Sequence, residues 1–183
     1  MKYFMHIESL YSLEKQEKWD EARKLLYNMW QCDKQNAEKL NRVMSECWYV
    51  LSSWEHCINT TELSYHEFKN TLLECTVFGI KNHNKHPRFL CVTGYMISLF
   101  PYLFYTDDKG DLYEEWKQKG IDTIRKSCEI DPFDHVAMVL NQGIALNFDE
   151  YDNAKRILSP ELANLFPNKT VIEIYFKNIL GSN

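Results

Sequence analysis

Apolar side chains recur along this sequence at helical intervals, broken by short polar stretches. Over residues 18–31, Trp19, Ala22, Leu25, Leu26, Met29 and Trp30 follow the i, i+3, i+4, i+7 spacing of one buried stripe. Phe4, Ile7, Leu10, Tyr11 and Leu13 keep nearly the same spacing and predict a first helix over about 3–16. A third helix is predicted for 34–57, with Asp33 as its N-cap and Leu40, Val43, Met44, Cys47, Val50, Leu51 and Trp54 inward. Polar Asn59-Thr60-Thr61 interrupts. Ser64-Tyr65-His66-Glu67 then reads as a capping box, Ser64 and Glu67 satisfying free backbone donors reciprocally. It opens a helix to about Lys81, with Phe68, Leu72, Cys75 and Ile80 inward.

The polar stretch Asn82 to His86 ends that helix, and Pro87 opens the next. The run Phe89 to Tyr105 carries no charge, is slightly short for a membrane span and contains Pro101, so it reads as a helix buried on all sides. Asp107-Asp108-Lys109-Gly110 predicts a turn before a helix over 111–129. Asp131-Pro132 places a cap residue ahead of a proline at the first helical position, opening a helix to about Leu146. Another follows over 149–158, and Ser159-Pro160 repeats the signal before 160–166. In the last segment, Thr170 to Leu180, Thr170, Val171, Ile172 and Ile174 favour a strand, while Ile172, Phe176 and Leu180 keep helical spacing. Helix is the reading, because no other segment offers a strand to pair with. The expectation is an all-α single domain, 1–183, of about 8–9 helices in irregular antiparallel hairpins. The low counts of 6 Gly and 5 Pro agree, since they disfavour a turn-rich β-sandwich.

Two segments resemble each other and resemble the tetratricopeptide repeat family. Lys18-Trp19-Asp20-Glu21-Ala22-Arg23-Lys24-Leu25-Leu26 is similar to the opening of that family's second helix, and Glu150-Tyr151-Asp152-Asn153-Ala154-Lys155-Arg156-Ile157-Leu158 repeats it. Cys128-Glu129-Ile130-Asp131-Pro132 resembles the junction between repeats. The family's close-packing glycine is displaced here, with Gln142 near its place and Gly143 beside it. The resemblance covers about half the chain and implies stacked helix hairpins, three to five of them, forming a solenoid.

Charge adds a direction. The net charge is −5. It is concentrated in residues 106–166, where 13 acidic side chains oppose 7 basic ones. That balance is unsuited to a phosphate backbone and suited to a basic protein partner. The densest stretch combines carboxylates with rings: Tyr102, Tyr105, Asp107, Asp108, Asp111, Tyr113, Glu114, Glu115 and Trp116 form the candidate partner-binding set, because aromatic anchors hold interfaces and charge steers approach. Six cysteines without a C-x-x-C pair read as reduced thiols of a cytoplasmic protein. No phosphate loop, nucleophile elbow or zinc-protease helix occurs in the sequence. His83 and His86, three apart beside Pro87, read as exposed loop residues rather than metal ligands. No catalytic residue, cofactor or metal is expected, nor a nucleic-acid or membrane partner.

In size, acidity and helical character the chain is similar to helical immunity proteins of bacterial contact-dependent growth inhibition systems. That likeness implies a non-enzymatic protein that binds one cognate toxin, often a basic nuclease, and covers its active site. The alternative is a tetratricopeptide-like adaptor or secretion chaperone holding a peptide segment in its concave groove.

Overall fold

The computed structural model describes residues 2–56, 65–106 and 112–181. The first apolar residues are buried without being helical: Tyr3 and Phe4 lie in an irregular lead-in, and α1 spans Glu8–Lys15. The predicted start at residue 3 is corrected because the two rings find partners across the molecule. The Tyr3 amide donates to the Leu165 carbonyl at 2.7 Å, and the Tyr3 ring centroid stands 5.3 Å from that of Phe166.

Glu17, with φ 55°, turns the chain into α2 (Trp19–Gln31). Helix α3 (Ala37–Ser52) starts three residues later than predicted. Asn36, not Asp33, is its N-cap, and its side chain accepts from the amides of Glu38 and Lys39. Asp33 takes the Lys39 ammonium at 2.9 Å instead. Every residue of α3 from Leu40 to Trp48 is buried, since α2, α4, α5 and α10 all pack on it. A one-turn 3-10 helix, Trp54–His56, follows.

Helix α4 (Tyr65–Asn82) lies along α2. Ser64 falls outside the described residues. The Glu67 carboxylate, expected in the capping box, accepts from the buried Arg23 guanidinium, which also binds Asp20 and the Thr71 hydroxyl. Helix α5 (Pro87–Leu99) opens at the proline as expected, and Phe89 through Ser98 are all buried. A 3-10 turn, Pro101–Phe104, ends it. Among the described residues, no helix is long and apolar enough to cross a membrane.

Helix α6 (Tyr113–Ile130) runs antiparallel to α5, as Ser127 Oγ donates to the Pro87 carbonyl at 2.8 Å while Gly120 meets Gly94 and Ser98 at the other end. A Cβ on Gly120 would stand 2.5 Å from the Ser98 nitrogen, and one on Gly94 would stand 2.8 Å from the Gly120 carbonyl oxygen. Backbone touches backbone there, so glycine is required.

Helix α7 (His135–Ile144) is capped by Asp134, whose carboxylate accepts from the amides of Val136 and Ala137. The predicted Asp131 cap is corrected: Asp131 accepts from the Phe133 amide in the preceding turn, and Pro132 lies ahead of the helix. Leu146, also at φ 55°, makes the turn into α8 (Phe148–Leu158). Ser159–Glu161 and the single-turn α9 (Leu162–Leu165) lead to α10 (Val171–Leu180). Helix therefore wins over strand in the last segment, and its buried face is Ile172, Phe176 and Leu180.

The all-α class is as expected, with nine α-helices of eight residues or more among the described residues. Helix α1 packs on α2, α2 on α3, α3 on α4, α5 on α6, α6 on α7 and α7 on α8, and Gly143 of α7 sits against the Tyr151 ring of α8, where a Cβ would be 3.0 Å away. The end of the chain then folds back. Helix α10 packs on α3 and α7, and Phe4, Phe166 and Phe176 form one ring cluster, so the two ends of the chain meet.

Candidate functional site

The 3-10 turn after α5 and the first turn of α6 bring most of the described partner-binding candidates to one end of the molecule. Tyr102, Glu114 and Glu115 are exposed. Tyr105, Tyr113 and Trp116 are half-buried, because the Trp116 ring stacks on Phe104 with centroids 6.5 Å apart. The Lys119 ammonium also lies over the Trp116 ring, 4.0 Å from its centroid. Trp116 is therefore committed largely to its own helix and core. Asp107, Asp108 and Asp111 lie outside the described residues.

A feature that sequence reasoning missed lies beside this segment. A cleft of about 560 Å³ opens between the C-terminal ends of α5 and α7 and the N-terminal halves of α6 and α8, with Ile179 of α10 at its wall. Its lining is apolar: Leu99, Ile121, Val139, Leu140, Ile144 and Leu146 contribute, with the rings of Tyr95, Phe148 and Tyr151. Gly143 leaves room for Tyr151, whose hydroxyl donates to the Ile179 carbonyl at 3.2 Å. The Tyr95 hydroxyl sits 2.8 Å from that of Tyr175, and burial, then the neighbouring Tyr175, holds its pKa well above the ordinary tyrosine value.

Two residues mark the lip. Leu146, in the α7–α8 connection, is 69% exposed, and Phe148, the first residue of α8, 71%. Their exposure follows from the left-handed backbone at Leu146, a conformation a leucine rarely adopts. The sequence pattern ends a helix at about Leu146; the visible signal was two large apolar residues flanking Asn147 in a turn, where polar residues are usual.

The cleft carries one charged side chain, Lys117, half-buried and without an ion-pair partner among the described residues. Spacing of three and four places Glu114, Lys117 and Ile121 on one face of α6, so the exposed Glu114 adjoins the cleft, while Glu115 lies on the face of Gln118, Lys119 and Asp122. On its other side, Asp149, Glu150 and Asp152 of α8 are exposed just beyond Phe148. An apolar lip is thus flanked by carboxylates on both sides.

A second cluster of ionisable groups lies in the core. The Arg42 guanidinium donates to Glu14 Oε1 at 2.6 Å and stands 3.2 Å from Glu46 Oε2 without the alignment of a hydrogen bond. Glu14 Oε2 accepts from the Val171 amide at 2.8 Å, holding the start of α10. Burial, with the nearby Glu14 charge adding to it, pushes the Glu46 carboxyl up to about 8. Burial also raises Glu14, against the opposing pull of Arg42. This cluster is sealed from solvent and binds the fold together.

The histidines differ from expectation. His83 is buried between the rings of Phe78 and Phe89 rather than exposed, and His86 caps α5, its Nδ1 accepting from the Phe89 amide at 3.3 Å. Among the described residues, no group of three or more His, Cys, Asp or Glu is placed to hold a metal ion. Cys32, Cys47, Cys75, Cys91 and Cys128 are free thiols. Burial raises Cys128 to about 11 and Cys75 further, so these two are held as thiols.

Fold and site together define an all-helical protein with an apolar, acid-flanked cleft at one end. Comparison of the chain with protein-family models, curated proteins and solved structures finds no match.

Proposed function

We propose that the protein is a non-enzymatic binding module, an immunity protein that docks one basic toxin domain and covers its active site. The observation that carries this reading is the exposed apolar lip of Leu146 and Phe148, with Glu114 on the cleft's face of α6 and Asp149, Glu150 and Asp152 on α8. Exposed large apolar side chains cost solvation unless a partner covers them, and flanking charge of one sign selects a partner of the other. In this arrangement Phe148 and Tyr102 anchor the complex, while the carboxylates occupy the positions that nucleic-acid phosphates would take on a nuclease partner.

The test is a stopped-flow association measurement against the product of the neighbouring open reading frame, which this reading expects to be a basic toxin. The association rate constant is expected to fall steeply as salt rises. Reversing Glu114, Glu115, Asp149 and Glu150 to Lys should lower it at least tenfold while helical dichroism stays unchanged. Phe148→Ala should mainly speed dissociation. Salt-independent association, or full affinity in the four-fold charge reversal, would overturn the reading. The cleft favours a second reading, an adaptor for a peptide segment, which differs in requiring tight binding of an isolated peptide.

A further inference from the structure

The cleft beside the lip has the volume and chemistry of a small-molecule site, and its one charged side chain has no ion-pair partner among the described residues. At about 560 Å³ it falls in the range of ligand pockets, roughly 300–1,000 Å³. The wall is aliphatic and aromatic, contributed by five different helices. Such a wall attracts a chain of methylenes and offers little to a polar ligand. Lys117 breaks the pattern. Some cations of this protein are answered by a carboxylate, as Lys18 is by Glu21, Lys24 by Asp20 and Lys39 by Asp33, while others stand on the surface without one among the described residues. Lys117 is half-buried, lines the apolar cleft and has no ion-pair partner among the described residues, with Gln142 as a further polar group in the lining.

We propose that this cleft binds a single-chain amphiphile with a carboxylate head, of the medium-chain fatty-acid class, its chain against Leu99, Ile121, Leu140 and Ile179 and its carboxylate on Lys117. Monoanionic charge suits the site: one ammonium balances one carboxylate, whereas a phosphate carries close to two charges and would add repulsion from the Glu114 side of α6. The inference does not rest on the protein-partner reading, because the ligand is taken up by the isolated chain.

Titration calorimetry on the intact protein, with ligands kept below their micelle concentrations, tests it. Decanoate should bind one-to-one, and each methylene removed should weaken binding about fourfold. Decanol and decylamine should bind at least tenfold more weakly, and decyl phosphate more weakly than decanoate. Lys117→Met should lower decanoate affinity about tenfold and leave decanol unchanged, since only the charge-assisted contact is lost. Ile121→Trp, which fills the cleft, should abolish binding of both. Equal affinity for decanoate, decanol and decylamine on the unmodified protein would overturn the proposal whatever the variants do, as would decanoate binding that survives Ile121→Trp or is indifferent to Lys117→Met.

Discussion

Glu46 shows how burial turns one carboxyl into a pH-dependent element of stability. Its folded-state pKa is about 8, against an ordinary value of 4.5, so between those values the folded protein binds more protons than the unfolded chain. Stability is then greatest at low pH and declines as pH rises towards 8, where the folded-state carboxyl ionises. Denaturant titrations at pH 6.5 and 8.5 should show a loss of about 2 kcal/mol from this group, and Glu46→Gln should remove most of it. Arg42→Met should act oppositely, costing about 3–5 kcal/mol at neutral pH by leaving Glu14 without its buried cation. Nothing in the sequence distinguishes Glu14, Arg42 and Glu46 from surface charges at i, i+4 spacing. Their burial depends on α10 and α1 closing over α3, which is a long-range event.

At the level of elements, α5 and α6 meet backbone to backbone, and that approach rests on Gly94 and Gly120. Gly120→Ala gains about 1 kcal/mol of helix propensity, yet its Cβ would meet the backbone of Ser98, which cannot rotate away. A net loss of about 2 kcal/mol is expected in thermal or denaturant unfolding. Gly143→Ala meets the edge of the Tyr151 ring, which is able to shift, so its effect should stay within about 1 kcal/mol. Helix positions were largely legible beforehand: α2, α4, α6 and α8 start and stop within two residues of the predicted bounds among the described residues, since an amphipathic stripe is a local property, whereas α5 ends at Leu99 and not at Tyr105, where the chain turns into the 3-10 segment at Pro101. The cap positions were less so. Asn36 and Asp134 took the roles expected of Asp33 and Asp131, each three residues downstream, because several cap-competent residues compete there and packing selects among them.

For the whole molecule, closure of α10 on α3 and α7 ties the ends of the chain into one core. In a linear stack of repeats each unit touches only its neighbours, and unfolding can fray from the ends. Here tryptophan fluorescence and far-ultraviolet dichroism should report a single coincident transition, and Phe176→Ala should lower the midpoint in both probes together, at a cost of about 3–5 kcal/mol. Two separated transitions would show that the ends unfold independently.

Helix content, the identity of the buried stripes and the acidic bias of residues 106–166 follow from spacing and composition, which any stretch of chain carries within itself. The cleft does not. Leu99, Lys117, Leu140, Phe148 and Ile179 come from five helices and meet only once those helices are packed, and the exposure of Leu146 depends on a left-handed turn that periodicity does not register. Local patterns specify which face of a helix is apolar. What that face meets, and whether space is left between, is settled by contacts between residues far apart in the chain.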